Sequence, residues 1–218
     1  MDIFTNHPAL EQFASLIVGL FMSLSLLYLT VKWFERRMNR QIDFIKTYEF
    51  PKSVTEFIKQ KYPHLSDADV ELALEQLRVY FLACWHENMT LVLPSKVVNT
   101  CWHGFELEKK SYNEFGRAAF GRFVNRMPRR SEAVKDQINL RDGARCYQAV
   151  LALSNISMTN SYTWQTQETL PSSIHIPVLF SADHALEIPN GYLFADEVIQ
   201  LMANFEIRKL HGAYSSDI

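Results

Sequence analysis

The sequence predicts an all-α protein, with an N-terminal single transmembrane helix followed by a compact helical cytoplasmic domain. Three observations support this fold class: an uncharged apolar run near the N-terminus, apolar residues recurring at three- and four-residue steps elsewhere, and no convincing run of alternating strand residues. The predicted segments are a short extracytoplasmic N-terminus (1–12), the transmembrane helix (13–34), a juxtamembrane helical stem (35–50) and the cytoplasmic helical domain (51–218).

The apolar run covers residues 13–31 and contains nineteen residues without a charge. At a rise of about 1.5 Å per residue it measures roughly 28 Å as a helix, close to the hydrocarbon thickness of a bilayer. A buried soluble helix would usually carry a polar stripe, and a secretory signal needs basic residues before its apolar region. The preceding residues include Asp2 and Glu11 but no Lys or Arg. We therefore expect a true membrane span.

Basic residues cluster directly after the run, and this asymmetry predicts the orientation. The positive-inside rule keeps such residues in the cytoplasm, so the N-terminus should lie outside and the main domain inside. The expected location is the inner (plasma) membrane, crossed once. The residues that should lie at its inner interface are Lys32, Trp33, Arg36, Arg37 and Arg40.

Small residues recur at every fourth position within the span, at Ser15, Gly19 and Ser23. Such a ridge lets two helices approach closely, and it makes a homodimer through this face one interpretation. The alternative is that these residues have no such role, because small residues are common in single spans. The other expected partners are the lipid bilayer and an unidentified protein.

Composition argues against several classes of function. A net charge of −2 gives no sign of a nucleic-acid binder. The seven glycines form no phosphate-binding motif, and we predict no cofactor. The cysteines Cys84, Cys101 and Cys146 are odd in number and lie in apolar surroundings, and a cytoplasmic domain would keep them reduced. We expect no disulfide.

Capping residues and apolar periodicity predict the helices of the domain. Ser53 and Ser111 each precede a Glu by three residues, which is the spacing of a capping box. We expect helices to begin near both serines and near Ser66 and Ser95. The remaining predictions are a long helix over 131–158, a polar surface loop over 159–175, a short apolar segment over 176–180 and a closing helix over 196–210.

An aromatic-rich segment of the domain places a Trp–His pair in a predicted helix. It has the pattern Val98-x-x-x-Trp102-His103, with Tyr112 nine residues after the histidine. A second element reads Ile176-Pro177-Val178-Leu179-Phe180, followed by Asp183 and Ile188-Pro189. Together they resemble a family of small, largely uncharacterised bacterial proteins that is related to the helical N-terminal region of plant glycine-rich-domain-containing proteins. The resemblance covers roughly residues 70–195, and it implies a helical domain without a known activity.

The chain departs from that family pattern at three positions. They are often a Cys and a His pair in the pattern, but here they are Gly116, Asn125 and Arg126. Histidine and cysteine side chains together would suggest a metal site. Because only His103 is retained, we predict no metal site in this chain.

His103 is the candidate catalytic residue, and Trp102, His103 and Tyr112 are the candidate ligand-binding residues. A histidine titrates near neutral pH and can act as a ligand or a general base. The alternative is a structural histidine whose ring packs against Trp102 and Tyr112. Tyr112 lies about 2.5 turns beyond His103, so direct contact between them depends on a break near Lys110.

Other groups of reactive residues give weaker signals. The repeated Cys-Trp-His tripeptides that begin at Cys84 and Cys101 suggest a metal centre with two Cys and two His ligands. Residues two apart lie on opposite faces of a helix, however, so one helix cannot easily aim both side chains at one ion. Asp183, His184 and Glu187 lie near one another in a turn-like region, as such residues often do. A basic run that would contact anionic headgroups or simply face solvent comprises Arg117, Arg122, Arg126, Arg129 and Arg130.

These observations lead to an expectation about function. The chain should be a membrane-anchored binding or scaffold module that acts at the cytoplasmic face of the membrane. The alternative is a metal-dependent or His-dependent hydrolytic enzyme centred on His103. An enzyme would bring His103, a second titratable group and a cavity together.

Overall fold

The computed structural model describes residues 8–121, 127–154, 164–165 and 176–205, and it describes side chains over 16–121, 127–153 and 176–205. The chain divides into two compact units, Met1–Asp43 and Phe44–Ile218. Several predictions lie outside the described residues: the side chain of Ser15, most of the polar loop, and Arg122, Asn125 and Arg126. The end of the helix predicted to reach residue 158 lies outside them as well. The closing helix predicted over 196–210 is too long, because α9 ends at Ala203 and Asn204 caps it.

The described part of the chain is mostly helical, as predicted. Its helices are α1 (Pro8–Lys46), α2 (Lys52–Lys61), α3 (Asp67–Glu87), α4 (Lys96–Leu107), α5 (Lys109–Phe120), α6 (Arg130–Ala133), α7 (Leu140–Ser154), α8 (Val178–Ala185) and α9 (Asp196–Ala203). Two short strands, β1 (Trp164–Gln165) and β2 (Ile176–Pro177), pair antiparallel with Trp164 opposite Pro177. The predicted short apolar segment is therefore a strand followed directly by the helix α8.

The helix α1 is long and apolar enough to cross a membrane over Leu16–Lys46. Its large apolar side chains between residues 16 and 31 are between 46% and 69% exposed. The hydroxyl groups of Ser23 and Thr30 donate to the carbonyl oxygens of Leu20 and Leu27, three residues earlier. Such local bonds satisfy the hydroxyl groups of a helix without a neighbouring polar group.

The core of the second unit is organised around α3. Residues 76–84 of this helix are all buried, and α3 packs against α4, α7 and α8. A helix that is buried on every side is apolar around its whole circumference, which explains the continuous run Val-Tyr-Phe-Leu-Ala-Cys over residues 79–84. The side chain of Tyr80 donates to the carbonyl oxygen of Leu91 at 2.7 Å, so its buried hydroxyl has a partner.

An aromatic cluster connects the start of the second unit to α4 and α5. Ring centroids of neighbouring members lie 4.7 to 5.8 Å apart, within the range of favourable aromatic contact. Arg78 of α3 holds the same region, because its Nε donates to the carbonyl oxygen of Tyr48 at 2.8 Å. The members of the cluster are Phe44, Tyr48, Phe50, Phe105 and Phe115.

Two of the four predicted helix starts are confirmed by their caps. Ser66 and Asp69 form a reciprocal capping box at α3, and the Ser95 hydroxyl accepts from the backbone N–H of Val98 at α4. The capping boxes predicted at Ser53 and Ser111 are wrong. The residue that caps α2 is Pro51, two residues before Ser53, so Ser53 lies inside the first turn of the helix.

The helix α5 begins before the predicted start at Ser111, because it follows α4 almost directly. Only Glu108 separates α4 from α5, and the backbone N–H of Tyr112 already bonds to the Glu108 carbonyl oxygen at 2.9 Å. Ser111 therefore lies inside the first turn of α5, where its hydroxyl does not cap the helix. Gly121 ends α5 with φ of 80°, a left-handed conformation that favours glycine.

The long helix predicted over 131–158 is wrong, because the described chain forms α6, a loop and then α7. The carbonyl oxygen of Ala133 accepts from the backbone N–H of Leu93 at 3.0 Å, which ends α6 by pairing it with a distant segment. Asn139 then starts α7, since its side-chain oxygen accepts from the backbone N–H of Asp142 at 2.8 Å. Asn139 was the sequence signal for this second start.

Candidate functional site

Trp102 lies in the core rather than at a surface. It projects from the buried side of α4, and the rings of Tyr80 and Phe81 on α3 lie 5.3 Å from its own. Its indole Nε1 donates to the hydroxyl group of Tyr112 at 3.1 Å. The break between α4 and α5 makes this bond geometrically accessible, and it joins two of the three predicted ligand-binding residues.

Tyr112 connects this buried bond to the surface. Its pKa is raised to about 12, first because burial penalises the phenolate and despite the hydrogen bond from Trp102, which favours it. The phenol is therefore neutral at physiological pH. It accepts from the indole on one side and lines an open cleft on the other.

His103 follows Trp102 on α4 and lies about 100° further around the helix, where its side chain reaches the surface. Its side chain is 42% exposed, and its ring meets the ring of Phe57 on α2 edge to face at 5.6 Å. The described ring contact is therefore with Phe57 and not, as the structural alternative had it, with Trp102 or Tyr112. The Nδ1 atom is buried, has no hydrogen-bond partner among the described residues, and lies 3.9 Å from Glu106 Oε2.

Glu106 supplies the carboxylate that lies within 4 Å of the His103 ring. Its Oε2 accepts from Arg130 Nε at 2.5 Å, and Arg130 Nη1 also lies 3.4 Å from Asn99 Oδ1. Asn99, His103 and Glu106 are four and three residues apart and share one face of α4. This spacing was the signal in the sequence for the polar cluster, although neither Asn99 nor Glu106 was predicted as a site residue.

A cleft of about 460 Å³ opens beside the polar cluster. His103 is not among the described residues that line it, although its neighbour Glu106 is. The cleft combines a neutral phenol, a carboxylate and two guanidinium groups with an apolar floor. Its lining residues are Glu106, Tyr112, Met127, Pro128, Arg129, Arg130, Ser131 and Val134.

The sequence matches the family described as UCP032817-like over residues 40–213, which is most of the chain. The chain belongs to this family. No curated protein and no solved structure matches the chain. The match begins before the domain's first buried residues and extends past α9, so it includes the whole described core of this UCP032817-like protein.

A second cleft, of about 320 Å³, lies at the N-terminal end of α4 in this UCP032817-like domain. Three lysines line it from three separate places in the chain: Lys61, Lys96 and Lys135. Their separation in sequence left no local pattern to detect. Its other lining residues are Tyr62, Leu93, Ser95, Asn99, Thr100, Val134, Asp136 and Tyr192.

Asp183 has a structural role beneath this second cleft. Its buried carboxylate accepts from the backbone N–H groups of Lys96 at 2.7 Å and Val97 at 3.0 Å. The Ser95 hydroxyl and the backbone N–H of Tyr192 donate to it as well, each at 2.8 Å. A carboxylate at a helix N-terminus is stabilised by the orphan donors and by the helix dipole. Asp183 thereby fastens α8 and its following turn to α4.

The three thiols of the UCP032817-like domain are all buried and free. Burial raises the pKa of Cys84 to about 12, and it raises the pKa values of Cys101 and Cys146 as well. A protonated, inaccessible thiol is a poor nucleophile and a poor metal ligand. Within the described ranges, no three His, Cys, Asp or Glu side chains gather closely enough to hold a metal ion.

The basic run is only partly described. Arg129 pairs with Glu132 at 3.5 Å, and Arg130 pairs with Glu106. Both arginines line the first cleft, and of their two partners Glu106 lines it as well. Whether the run contacts lipid headgroups stays a prediction.

Proposed function

We propose that this chain is a single-pass protein of the inner membrane and that its helical domain is a binding module in the cytoplasm. The exposed apolar side chains of α1 carry this proposal. A continuous surface of leucine, isoleucine, valine and phenylalanine is unstable against water and stable against lipid. The helix is also long enough, since Leu16–Lys46 exceeds the roughly 20 residues that a span needs.

Charge and aromatic placement support the orientation with the N-terminus outside. Lys32, Arg36, Arg37 and Arg40 follow the apolar run, and the guanidinium group of Arg37 lies 5.6 Å from the ring centroid of Trp33. Trp33 together with the basic residues provides the amphipathic and cationic groups that an inner interface favours. Lys32 also pairs with Glu35 at 2.8 Å.

A pair of reporters tests the anchoring and its direction. Fusions after Ile218 to a phosphatase active only in the periplasm and to a fluorescent protein active only in the cytoplasm should give fluorescence without phosphatase activity. The chain should also stay with membranes after alkaline carbonate extraction. Phosphatase activity would overturn the orientation, and release by carbonate would overturn the anchoring itself.

The homodimer through Ser15, Gly19 and Ser23 is part of the same proposal. A Cβ atom at Gly19 would meet no other atom within 4 Å, so a larger residue fits the single helix. Gly19→Leu should therefore weaken crosslinking between two copies in the membrane without reducing membrane insertion. Leu20→Ala is a control at the neighbouring position, and equal crosslinking by wild type and Gly19→Leu would rule this dimer out.

The cleft beside Glu106 is the proposed site for a protein partner. Its open shape and its mixture of charged, aromatic and apolar groups are typical of a contact surface with a polar rim. A photo-crosslinking residue at Ser131 should give a discrete adduct in cells, and one at the exposed Lys52 should not. The same pattern of adducts from both positions would contradict a binding role for this cleft.

A second candidate function is general-base catalysis by His103. The observation that favours it is the buried Nδ1 without a described partner, 3.9 Å from a carboxylate that could orient the ring. Hydrolysis of simple phosphate and carboxylate esters by the full chain should then fall about 100-fold or more in His103→Gln. His86→Gln, which changes another surface histidine paired with a Glu, is the control. Equal activity in all three proteins would end this alternative.

A further inference from the structure

The lysine-lined cleft at the start of α4 has the dimensions of a small-molecule site. Lys61 is the last residue of α2, Lys96 the first of α4, and Lys135 lies in the loop between α6 and α7. Their side chains line a volume of about 320 Å³, near the lower end of the range for ligand pockets. Since three elements supply the lysines, the folded domain is needed to bring them together.

Two of the three lysines lack a described carboxylate partner, which the third lysine and the nearby Lys59 both have. Lys59 pairs with Asp67, and Lys135 pairs with Asp142. Lys61 and Lys96 have no carboxylate within ion-pair distance among the described residues. The Nζ atom of Lys96 instead lies 5.4 Å from the ring centroid of Tyr192, which holds it over the cleft.

The acidic groups near the cleft do not neutralise Lys61 and Lys96. Asp183 lies beneath it, but four hydrogen bonds from Ser95, Lys96, Val97 and Tyr192 already engage its carboxylate. The same bonds occupy the first amides of α4, so the helix end is not free for a ligand. Asp136 is the one described acidic side chain that lines the cleft.

Neutral donors complete the lining. The Thr100 hydroxyl donates to the carbonyl oxygen of Lys96 at 3.0 Å, and the Tyr62 hydroxyl lies 3.3 Å from the same Thr100 oxygen. Asn99 turns its side-chain oxygen toward Arg130 in the first cleft. Its amide nitrogen, which carries two donors, has no partner among the described residues.

We propose that this cleft binds the phosphate group of a phosphate monoester. The group is close to doubly negative at neutral pH and accepts several hydrogen bonds. Lys61 and Lys96 supply two unpaired cations, and Asn99 supplies two N–H donors. A phosphate monoester satisfies both sets of groups at once, whereas a carboxylate has half the charge and fewer acceptor atoms.

Equilibrium dialysis of radiolabelled inorganic phosphate tests the site on the full chain in phosphatidylcholine nanodiscs. Binding should saturate at one phosphate per chain. Lys61→Gln and Lys96→Gln should each weaken it about tenfold, because each removes a charged hydrogen bond. Lys59→Gln changes a lysine on the same helix that is already paired with Asp67, and it should leave phosphate affinity unchanged.

The source of the phosphate is distinguished by a second arm. Nanodiscs that contain phosphatidic acid present the same group on a lipid, and its ³¹P resonance should shift in wild type but not in Lys96→Gln if the ligand is a headgroup. Saturable phosphate binding together with an unshifted phosphatidic acid resonance supports a soluble phosphate monoester instead. Failure of both arms, an equal loss in Lys59→Gln, or equally tight binding of acetate would overturn the proposal.

Folding is checked in the same samples. Lys61 and Lys96 contribute exposed or half-buried side chains, and a glutamine at position 96 keeps the backbone N–H that Asp183 accepts from. The variants should therefore unfold at the wild-type temperature. If Lys96→Gln were unfolded, the affinity of Lys61→Gln would decide the outcome. The lysine variants change neither α1 nor the cleft beside Glu106, so a negative result would leave the anchoring and partner proposals standing.

Discussion

Two apolar helices of this protein, α1 and α3, have similar side chains and opposite surroundings. Between residues 16 and 31, the large apolar side chains of α1 are at least 46% exposed within the chain. Over residues 79–84, the side chains of α3 are at most 1% exposed. Composition alone does not separate a core helix from a membrane helix, since both are apolar all round. Their packing separates them.

The charged residues around each helix explain this difference. α3 carries Glu71, Glu75 and Arg78 within its own turns, and Arg78 bonds to both glutamates and to the Tyr48 carbonyl oxygen. A soluble domain thus keeps charges within a turn or two of its core. The apolar run of α1 has none for nineteen residues, and the charged residues of this helix lie before the run, at Glu11, and after it ends. The other helices of the domain surround α3, and we propose that lipid surrounds α1.

The largest expected effect comes from the same change made in both helices. Leu82→Arg would bury an unpaired charge in the core and should cost about 5 kcal/mol or more, which is comparable to the whole stability of a domain. Leu24→Arg/Leu27→Arg should cost about 3 kcal/mol per arginine in membrane insertion and leave the domain folded. Thermal unfolding and membrane fractionation of each variant measure the two effects separately.

A volume-conserving control accompanies this pair. Leu82→Met should cost less than about 1.5 kcal/mol, because it changes shape without adding charge. The contrast between the helices fails if the α1 variant stays in the membrane fraction and lowers the unfolding temperature of the domain. That result would mean that α1 behaves as a packed helix and not as a lipid-facing one.

The next largest effect tests the hydrogen bonds by which Asp183 joins α8 to α4 inside the domain. Asp183→Ala removes the acceptor of four hydrogen bonds and should destabilise the domain by about 3 kcal/mol in urea. Asp183→Asn keeps one acceptor oxygen and should lose less. Membrane association should be unchanged in both. An unfolding midpoint equal to that of wild type would show that the tether between α8 and α4 contributes nothing.

The fold was predictable where local signals were sufficient. The apolar run of α1, the capping box at Ser66 and the cap at Ser95 each depend on residues within one helical turn. The start of α7 had a local signal of the same kind at Asn139, but the end of α6 was not predictable in this way. It depends on a backbone hydrogen bond from Leu93 to Ala133, and such a bond between distant segments leaves no periodic trace.

The candidate site was predictable only in part. Of the Trp102, His103 and Tyr112 motif, the structure joins the two aromatic residues by a hydrogen bond, and their role in binding stays a prediction. The motif did not reveal that Trp102 is buried while His103 is partly exposed, nor that Glu106 and Arg130 complete the polar cluster. The lysine cleft was not predictable from the sequence. Lys96 lies 35 residues after Lys61 and 39 residues before Lys135, and only the fold brings the three together.

A smaller effect should come from the buried bond between Trp102 and Tyr112. Tyr112→Phe leaves the indole Nε1 without its acceptor and should cost about 1 to 2 kcal/mol. If this bond accounts for the loss, Trp102→Phe/Tyr112→Phe should cost less than the sum of the two single changes. Urea unfolding of all four proteins measures the coupling. Strict additivity would show that the bond is not a stabilising contact, although Tyr112 would still line the cleft.

The smallest expected effect is a small loss of domain stability in acid, which should leave the membrane association of α1 unchanged. Asp142 accepts from Lys135 and Asn139, and these bonds together with the nearby positive charge hold its pKa below the ordinary 3.8. A carboxyl group whose pKa is lowered by folding stabilises the folded state above its unfolded pKa, and this stability is lost as the pH falls through the folded value. The contribution should be less than about 1 kcal/mol, because the pair is partly exposed.

Asp142→Asn should therefore lower the free energy of unfolding slightly at pH 7 and reduce the stability that is lost below pH 4. Membrane association through the uncharged run of α1 should stay constant over the same pH range. An acid-dependent release from the membrane would contradict the assignment of lipid as the solvent of α1.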